Sequence, residues 1–366
     1  MRVDGVDRRS IWLERDGWSV GVIDQTALPH QFLTARLRSL EDAADAIRSM
    51  RVRGAPLIGA MAAYGFCLAL RANDSDAALD TAAATLAATR PTAVNLRHAL
   101  ERVAGAVRAR PRGERVEAAY AAAAALCDGD VAINTAIGRH GLALLEGLAR
   151  EKRAGDPVQV LTHCNAGWLA TVDGGTALAP VYRAHDAGLP VHAWVSETRP
   201  RNQGAALTAW ELGQHGVPYT VIADNAAGHL LQRGRVDICL VGADRVAANG
   251  DVANKVGTYL KALAAQEAQA PFYVAAPSPS IDWDTQDGAA IPIEERDPDE
   301  VTHVSGQDAN GRVVRVRVTP ADSLALNPGF DVTPARLVSG LITERGVCPA
   351  SPSGLRGLFP EWGAHA

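Results

Sequence analysis

Val158-Gln159-Val160-Leu161-Thr162-His163-Cys164-Asn165-Ala166-Gly167 is the stretch on which the fold turns. Its first five residues have the length and apolar character of a buried strand, and the next five are small or polar. The pattern returns at Val191-His192-Ala193-Trp194-Val195, Tyr219-Thr220-Val221-Ile222, Asp237-Ile238-Cys239-Leu240-Val241 and Phe272-Tyr273-Val274-Ala275-Ala276, with helical stretches between. Near-continuous apolar strands separated by helices imply a parallel sheet covered on both faces, a doubly wound α/β arrangement. Ligands bind beyond the carboxyl ends of such strands. The segments that follow these runs should therefore share one rim: 163–167, 196–204, Ala223-Asp224-Asn225, Gly242-Ala243-Asp244-Arg245 and Pro277-Ser278-Pro279-Ser280. A thiol, carboxylates, amides and arginines gathered in an apolar frame favour an enzyme over a scaffold.

Upstream of Pro157 the texture is different. Ile11-Trp12-Leu13-Glu14 and Ser19-Val20-Gly21-Val22-Ile23 flank Asp16-Gly17 as a β-hairpin would. Ser39-Leu40-Glu41-Asp42 sets a capping hydroxyl three residues before an acid, and Pro56 suits the first turn of a helix. The stretches 74–89, 92–108 and 114–126 are Ala-rich and helix-favouring. The first third is thus mostly helical with a small β element.

At 366 residues, 47% hydrophobic and 21% charged, the chain can bury sizeable cores, and about two domains are expected of a soluble globular protein. With 41 acidic against 36 basic residues and no long basic run, nucleic-acid binding is not suggested. Five cysteines are an odd number for a paired framework and contain no C-x-x-C, which fits a reducing cytoplasm and argues against structural zinc. The charged start Met1-Arg2-Val3-Asp4 does not support export. The longest uncharged run, 55–70, falls short of the ~20 residues that span a bilayer and reads as a buried helix.

Cys164 follows a strand in a turn where backbone N–H groups could face a ligand; its bland alternative is a packed core thiol. Cys67, Cys127 and Cys239 sit inside apolar runs and Cys348 lies near the C-terminus, so for them the bland alternative stands. Asp244 emerges from Ile238-Cys239-Leu240-Val241-Gly242-Ala243, where desolvation should raise its pKa and suit it to act as an acid; otherwise it pairs with Arg245 or caps a helix. Arg53-Gly54-Ala55-Pro56 offers a cation and free N–H groups at a helix start, where phosphate is stabilised, and Arg90-Pro91-Thr92 is a weaker case. Asn254-Lys255 precedes the helical 257–265. The motifs G-x-S-x-G, G-x-x-x-x-G-K-[ST], H-E-x-x-H and a strand-following G-x-G-x-x-G are all missing, so serine hydrolase, NTPase, zincin and dehydrogenase lose ground. A thiol, a carboxyl and phosphate-capable cations suit proton or hydride relocation on a sugar phosphate.

Taken in order, Arg53-Gly54-Ala55-Pro56, 90–96, 161–167, 197–205, 224–229, 242–251, 254–259 and 327–334 resemble the methylthioribose-1-phosphate isomerases, within the wider group that includes regulatory subunits of translation initiation factor 2B. The resemblance implies conversion of 5-methylthioribose 1-phosphate, an aldose 1-phosphate, to its ketose in methionine salvage, with no metal and no organic cofactor. It puts the catalytic thiol on Cys164 and the acid on Asp244, with substrate contacts on Arg53, Gly54, Ala55, Arg90, Gln203, Asn254 and Lys255. It also implies a mostly helical N-terminal domain, taken as 1–130, before a Rossmann-like domain, 131–366, in a cytoplasmic homodimer without membrane or nucleic-acid partners. The related substrates ribose 1,5-bisphosphate and 5-deoxyribose 1-phosphate would use the same acid and thiol. A non-catalytic subunit would need neither. Residues 348–366 lie outside the matching stretches and are expected to form a weakly structured appendage.

Overall fold

Local signals start the helical region where the sequence places them. The Ser39 hydroxyl accepts the Asp42 N–H while the Asp42 carboxylate accepts the Ser39 N–H, so a capping box opens helix α1 (Leu40–Arg48). The computed structural model describes residues 1–365. Ahead of α1 stand a short antiparallel pair, β1 (Arg2–Val3) and β2 (Val6–Asp7), and an antiparallel sheet of β3 (Ile11–Leu13), β4 (Val20–Ile23) and β5 (Thr34–Leu37). The first two strands of that sheet are the expected hairpin, with Ile11 opposite Val22.

Helices α2 (Ala55–Ala72), α3 (Asp76–Ala87), α4 (Val94–Arg108) and α5 (Arg115–Glu151) follow. Apolar on every side, α2 forms the axis of the first core and packs against α1, α3, α4 and α5. Its length and hydropathy would suffice to cross a membrane, but most of it lies inside this core. Helix α5 runs 25 residues beyond the expected end at Leu126, through Cys127-Asp128-Gly129-Asp130 and across the 130/131 position. Gly129 costs about 1 kcal/mol in a helix. Tertiary contacts offset it: the Asp130 carboxyl accepts the Val172 N–H at 2.8 Å, and Asn134 Nδ2, one turn on, donates to the Asp173 carbonyl at 3.1 Å. The first half of α5 buries Ala119, Ala123 and Cys127 in the helical core, and the second half buries Ile137 and Leu145 beneath the large sheet.

That sheet contains β6 (Val158–Thr162), β7 (Val191–Ser196), β8 (Tyr219–Ile222) and β9 (Ile238–Gly242). The chain then makes β10 (Arg245–Ala247) and β11 (Val252–Lys255) of a smaller sheet, and returns through β12 (Phe272–Ala275). Next come β13 (Ile281–Asp282), the hairpin of β14 (His303–Gln307) and β15 (Val313–Arg317), and β16 (Phe330–Thr333). The large sheet is completed by β17 (Gly340–Thr343) and β18 (Gly346–Cys348). Its order is β18-β17-β12-β9-β6-β7-β8, parallel throughout except for β18. The direction of winding reverses between β6 and β9, which opens a crevice beyond their carboxyl ends. Two apolar cores cover the two faces, except at the edge strand β8, where Tyr219, Thr220 and Val221 are exposed and the expected burial is not found.

The expectation for the C-terminus is corrected. Cys348 belongs to β18, and a helix at Pro352–Leu358 follows with Ser351 as its cap. Leu355 and Phe359 are fully buried in the core that contains Phe272 and Leu341, with Phe359 edge-on to Trp283. A polar-looking segment with two such anchors is held in place by their burial.

Candidate active site

Cys164 lies two residues past the end of β6 and Asp244 two past the end of β9, so the pair flanks the crevice. Both line a cleft of about 760 Å³, open solvent at its mouth included. The other seven expected site residues, Arg53, Gly54, Ala55, Arg90, Gln203, Asn254 and Lys255, line the same cleft. They come from the first residue of α2 and the two before it, from the loop before α4, from the turn after β7 and from β11.

Each is held by its local structure. Gly54 caps α2 with φ +96°, and a Cβ there would fall 2.5 Å from the Ala170 backbone, so glycine alone fits. No side chain caps this helix, which leaves its first N–H groups facing the cleft beside Arg53. Arg53 donates through Nη1 to Asn165 Oδ1 and through Nη2 to the Asn165 carbonyl at 2.8 Å. Arg90 donates to Glu294 at 2.9 Å, while its Nε is buried without a partner among the described residues. Gln203 Oε1 is likewise buried and unmet. Such groups are costly unless something bound satisfies them. Lys255 is buried, donates to the Gly329 carbonyl at 2.6 Å and stands 5.2 Å above the Phe330 ring. Asn254 donates to Thr258 Oγ1 at 3.0 Å.

Burial pushes the Asp244 carboxyl up, against the pull of Lys255, Arg90 and Arg53, and Glu294 adds to the rise. Among the described residues no hydrogen bond holds that carboxyl. Arg245, the neighbour that could have neutralised it, pairs instead with Asp282 at 3.1 Å and donates to the Thr92 carbonyl. Burial also pushes the Cys164 thiol up, with Arg53 and Lys255 opposing. The thiol sits on a residue at φ +65°, fixed by its N–H to Thr198 Oγ1 and its carbonyl from Thr208 Oγ1. His163 is no base for it. Burial and the nearby Lys261 hold His163 down at about 3, and its Nε2–H is spent on the Val256 carbonyl at 2.8 Å. Cys67, Cys127, Cys239 and Cys348 are all buried.

Residues 51–350 match the model of the initiation factor 2 subunit family. Methylthioribose-1-phosphate isomerases of Rhodospirillum centenum and Rhodospirillum rubrum are each 61% identical to the chain over 99% of its length, and 96% and 94% of those proteins are covered. The chain belongs to the methylthioribose-1-phosphate isomerase family. The crystal structure of 5-methylthioribose 1-phosphate isomerase from Pyrococcus horikoshii superposes with TM-score 0.83 at 39% identity, over 97% of this chain and 96% of that one. A structure described as translation initiation factor eIF-2B subunit delta from A. fulgidus gives 0.78 at 38%, over 97% and 100%. Backbone likeness therefore does not separate isomerase from translation factor within this family, and the 61% relatives carry the assignment.

The cleft also contains residues that the sequence did not single out. Arg296 lines it, clamped by Glu294 at 2.9 Å and Glu300 at 2.7 Å, and it approaches the Met50 sulfur at 3.7 Å. The run Glu294-Glu295-Arg296-Asp297 reads as solvated surface, because a short run of mixed charge carries no sign of what it will face. Phe330 carried a signal, standing in a stretch that resembles the isomerase family.

Proposed function

We propose that the protein isomerises 5-methylthioribose 1-phosphate to 5-methylthioribulose 1-phosphate, the aldose-to-ketose step of methionine salvage. The reading rests on one observation: an unpartnered carboxyl pushed up by burial shares a cleft with a thiol, four cations and an uncapped helix start. Phosphate on the anomeric oxygen removes the free aldehyde that ordinary aldose isomerases use, so the furanose must open by protonation of its ring oxygen. Asp244 donates that proton, the bond from C1 to the ring oxygen breaks, and the oxygen leaves as the 4-hydroxyl. Arg53, Arg90 and the N–H groups of α2 hold the phosphate, with Lys255 on the same anion. Hydrogen then passes from C2 to C1, and the 2-hydroxyl proton returns to the Asp244 carboxylate as the C2 carbonyl forms. The thiol, kept neutral by burial, is a poor source of thiolate. This favours a hydride shift, with Cys164 stabilising the cationic C1.

The domain that carries the acid and thiol is read as Rossmann-like, since its six parallel strands run in the order third, second, first, fourth, fifth, sixth. We take 1–130 and 131–366 as the working domain division, and the protein as a cytoplasmic homodimer that needs no cofactor. Incubating pure protein separately with methylthioribose 1-phosphate, ribose 1,5-bisphosphate and 5-deoxyribose 1-phosphate, each deuterated at C2, tests the function by NMR. Ketose from the first with deuterium retained at C1 is expected. Preference for another substrate overturns the assignment, and loss of label to water overturns the hydride route.

A further inference from the structure

Glu211, on the short helix Ala209–His215, is a fully buried carboxyl that no step of the chemistry uses. It accepts Asn165 Nδ2 at 2.8 Å through one oxygen and the Leu169 N–H at 3.1 Å through the other. Gly167 makes room for it, since a Cβ there would stand 1.5 Å from Glu211 Oε1. Asn165 in turn receives two hydrogen bonds from the Arg53 guanidinium, on its side-chain and backbone oxygens. Its amide is therefore held between a carboxyl and a guanidinium, and both of its ends are fixed. No carboxylate pairs directly with Arg53 among the described residues, which leaves the outer edge of its fork for a ligand.

We infer that Glu211 is a positioning residue, which aims the Arg53 guanidinium at the substrate phosphate through Asn165. This rests on the proposed function in so far as Arg53 binds the phosphate. Burial pushes the Glu211 carboxyl up to about 8 against the hydrogen bonds from the Leu169 N–H and Asn165 and the charge of Arg53, and the geometry explains why so polar a group is kept there, where it is costly unless it orders something. In Glu211→Gln an NH2 group replaces one accepting carboxyl oxygen, so one of the two N–H donors now meets another donor and the Asn165 amide loses its anchor or its partner.

Glu211→Gln is expected to raise KM and the Kd of inorganic phosphate in parallel, by tenfold or more, with kcat within about threefold of wild type. A residue that merely supports the fold would not give that split. In an Arg53→Lys background, where the planar fork is already gone, Glu211→Gln should add less than threefold. Unchanged KM and phosphate Kd, or an equal effect in both backgrounds, overturns the inference. Should Glu211→Gln not fold, Asn165→Ala cuts the same link, and wild-type phosphate affinity in that variant is equally fatal. Phosphate binding is read by calorimetry without turnover. A wild-type chain that binds phosphate but converts no methylthioribose 1-phosphate sinks the proposed substrate and leaves the relay to be decided by the Kd. A wild-type chain that binds no phosphate sinks the relay.

Discussion

Asp244→Asn separates the two properties that the cleft gives this side chain, its shape and its proton. The amide preserves volume and neutrality but has no proton to give to a ring oxygen. General acids of this kind contribute about 10²–10⁴-fold. The loss in kcat should fall in that range, which corresponds to about 2.7–5.4 kcal/mol of barrier. Because burial pushes the carboxyl up against the pull of Lys255, Arg90 and Arg53 and so favours its neutral form, the substitution exchanges one neutral group for another. Phosphate affinity should therefore change by no more than about threefold, roughly 0.7 kcal/mol. Steady-state NMR turnover and calorimetric binding measure the two quantities on one preparation. A kcat within tenfold of wild type would refute the acid role. A tenfold gain in phosphate affinity would show instead that wild-type Asp244 is ionised and repels the anion. Stability supplies a second readout. With its folded-state pKa raised above the unfolded value of about 3.9, Asp244 leaves more protons on the folded state, so stability is lost as pH rises from there through the raised value. The Tm of Asp244→Asn should therefore gain on wild type as pH rises.

Cys164→Ala should lower kcat at least 100-fold, with an unchanged circular dichroism spectrum; near-normal turnover would return this cysteine to a packing role. As the one cysteine not fully buried among the five, Cys164 should be the first alkylated by iodoacetamide, slowly at pH 7, and phosphate should protect it, as peptide mass spectrometry can follow. Gly54→Ala forces a side chain into a glycine-only backbone conformation against Ala170. About 1–3 kcal/mol of strain should appear as a fall in Tm of several degrees together with a raised KM. Lys255→Met keeps the stem over Phe330 and deletes a buried charge, so KM should rise about 10–100-fold in turnover assays.

Much of the large sheet was legible because its strands are apolar on both faces. All five expected runs became β6, β7, β8, β9 and β12 within a residue or so of their ends. The runs Gly340–Thr343 and Gly346–Cys348 escaped, being too short for periodicity to separate them from loop. The hairpin of β14 and β15 escaped because alternating Arg and Val residues leave one face exposed and no core to mark it. Helix α5 overran its expected end since Asp128-Gly129-Asp130 is locally helix-poor and contacts with Val172 and Asp173 override it.

What the sequence determined by itself was chemistry and connectivity: a thiol and an acid each placed just beyond a buried strand, and a cation before an uncapped helix. Those depend on residue type and on neighbours along the chain. Only the tertiary structure decided that Arg245 turns away to Asp282 and leaves Asp244 alone, that Arg296, held by Glu294, lines the cleft, and that Glu211 stands behind Arg53. Desolvation and pairing are set by atoms that arrive from distant segments, so the pKa of a carboxyl and the aim of a guanidinium exist only once those segments have packed.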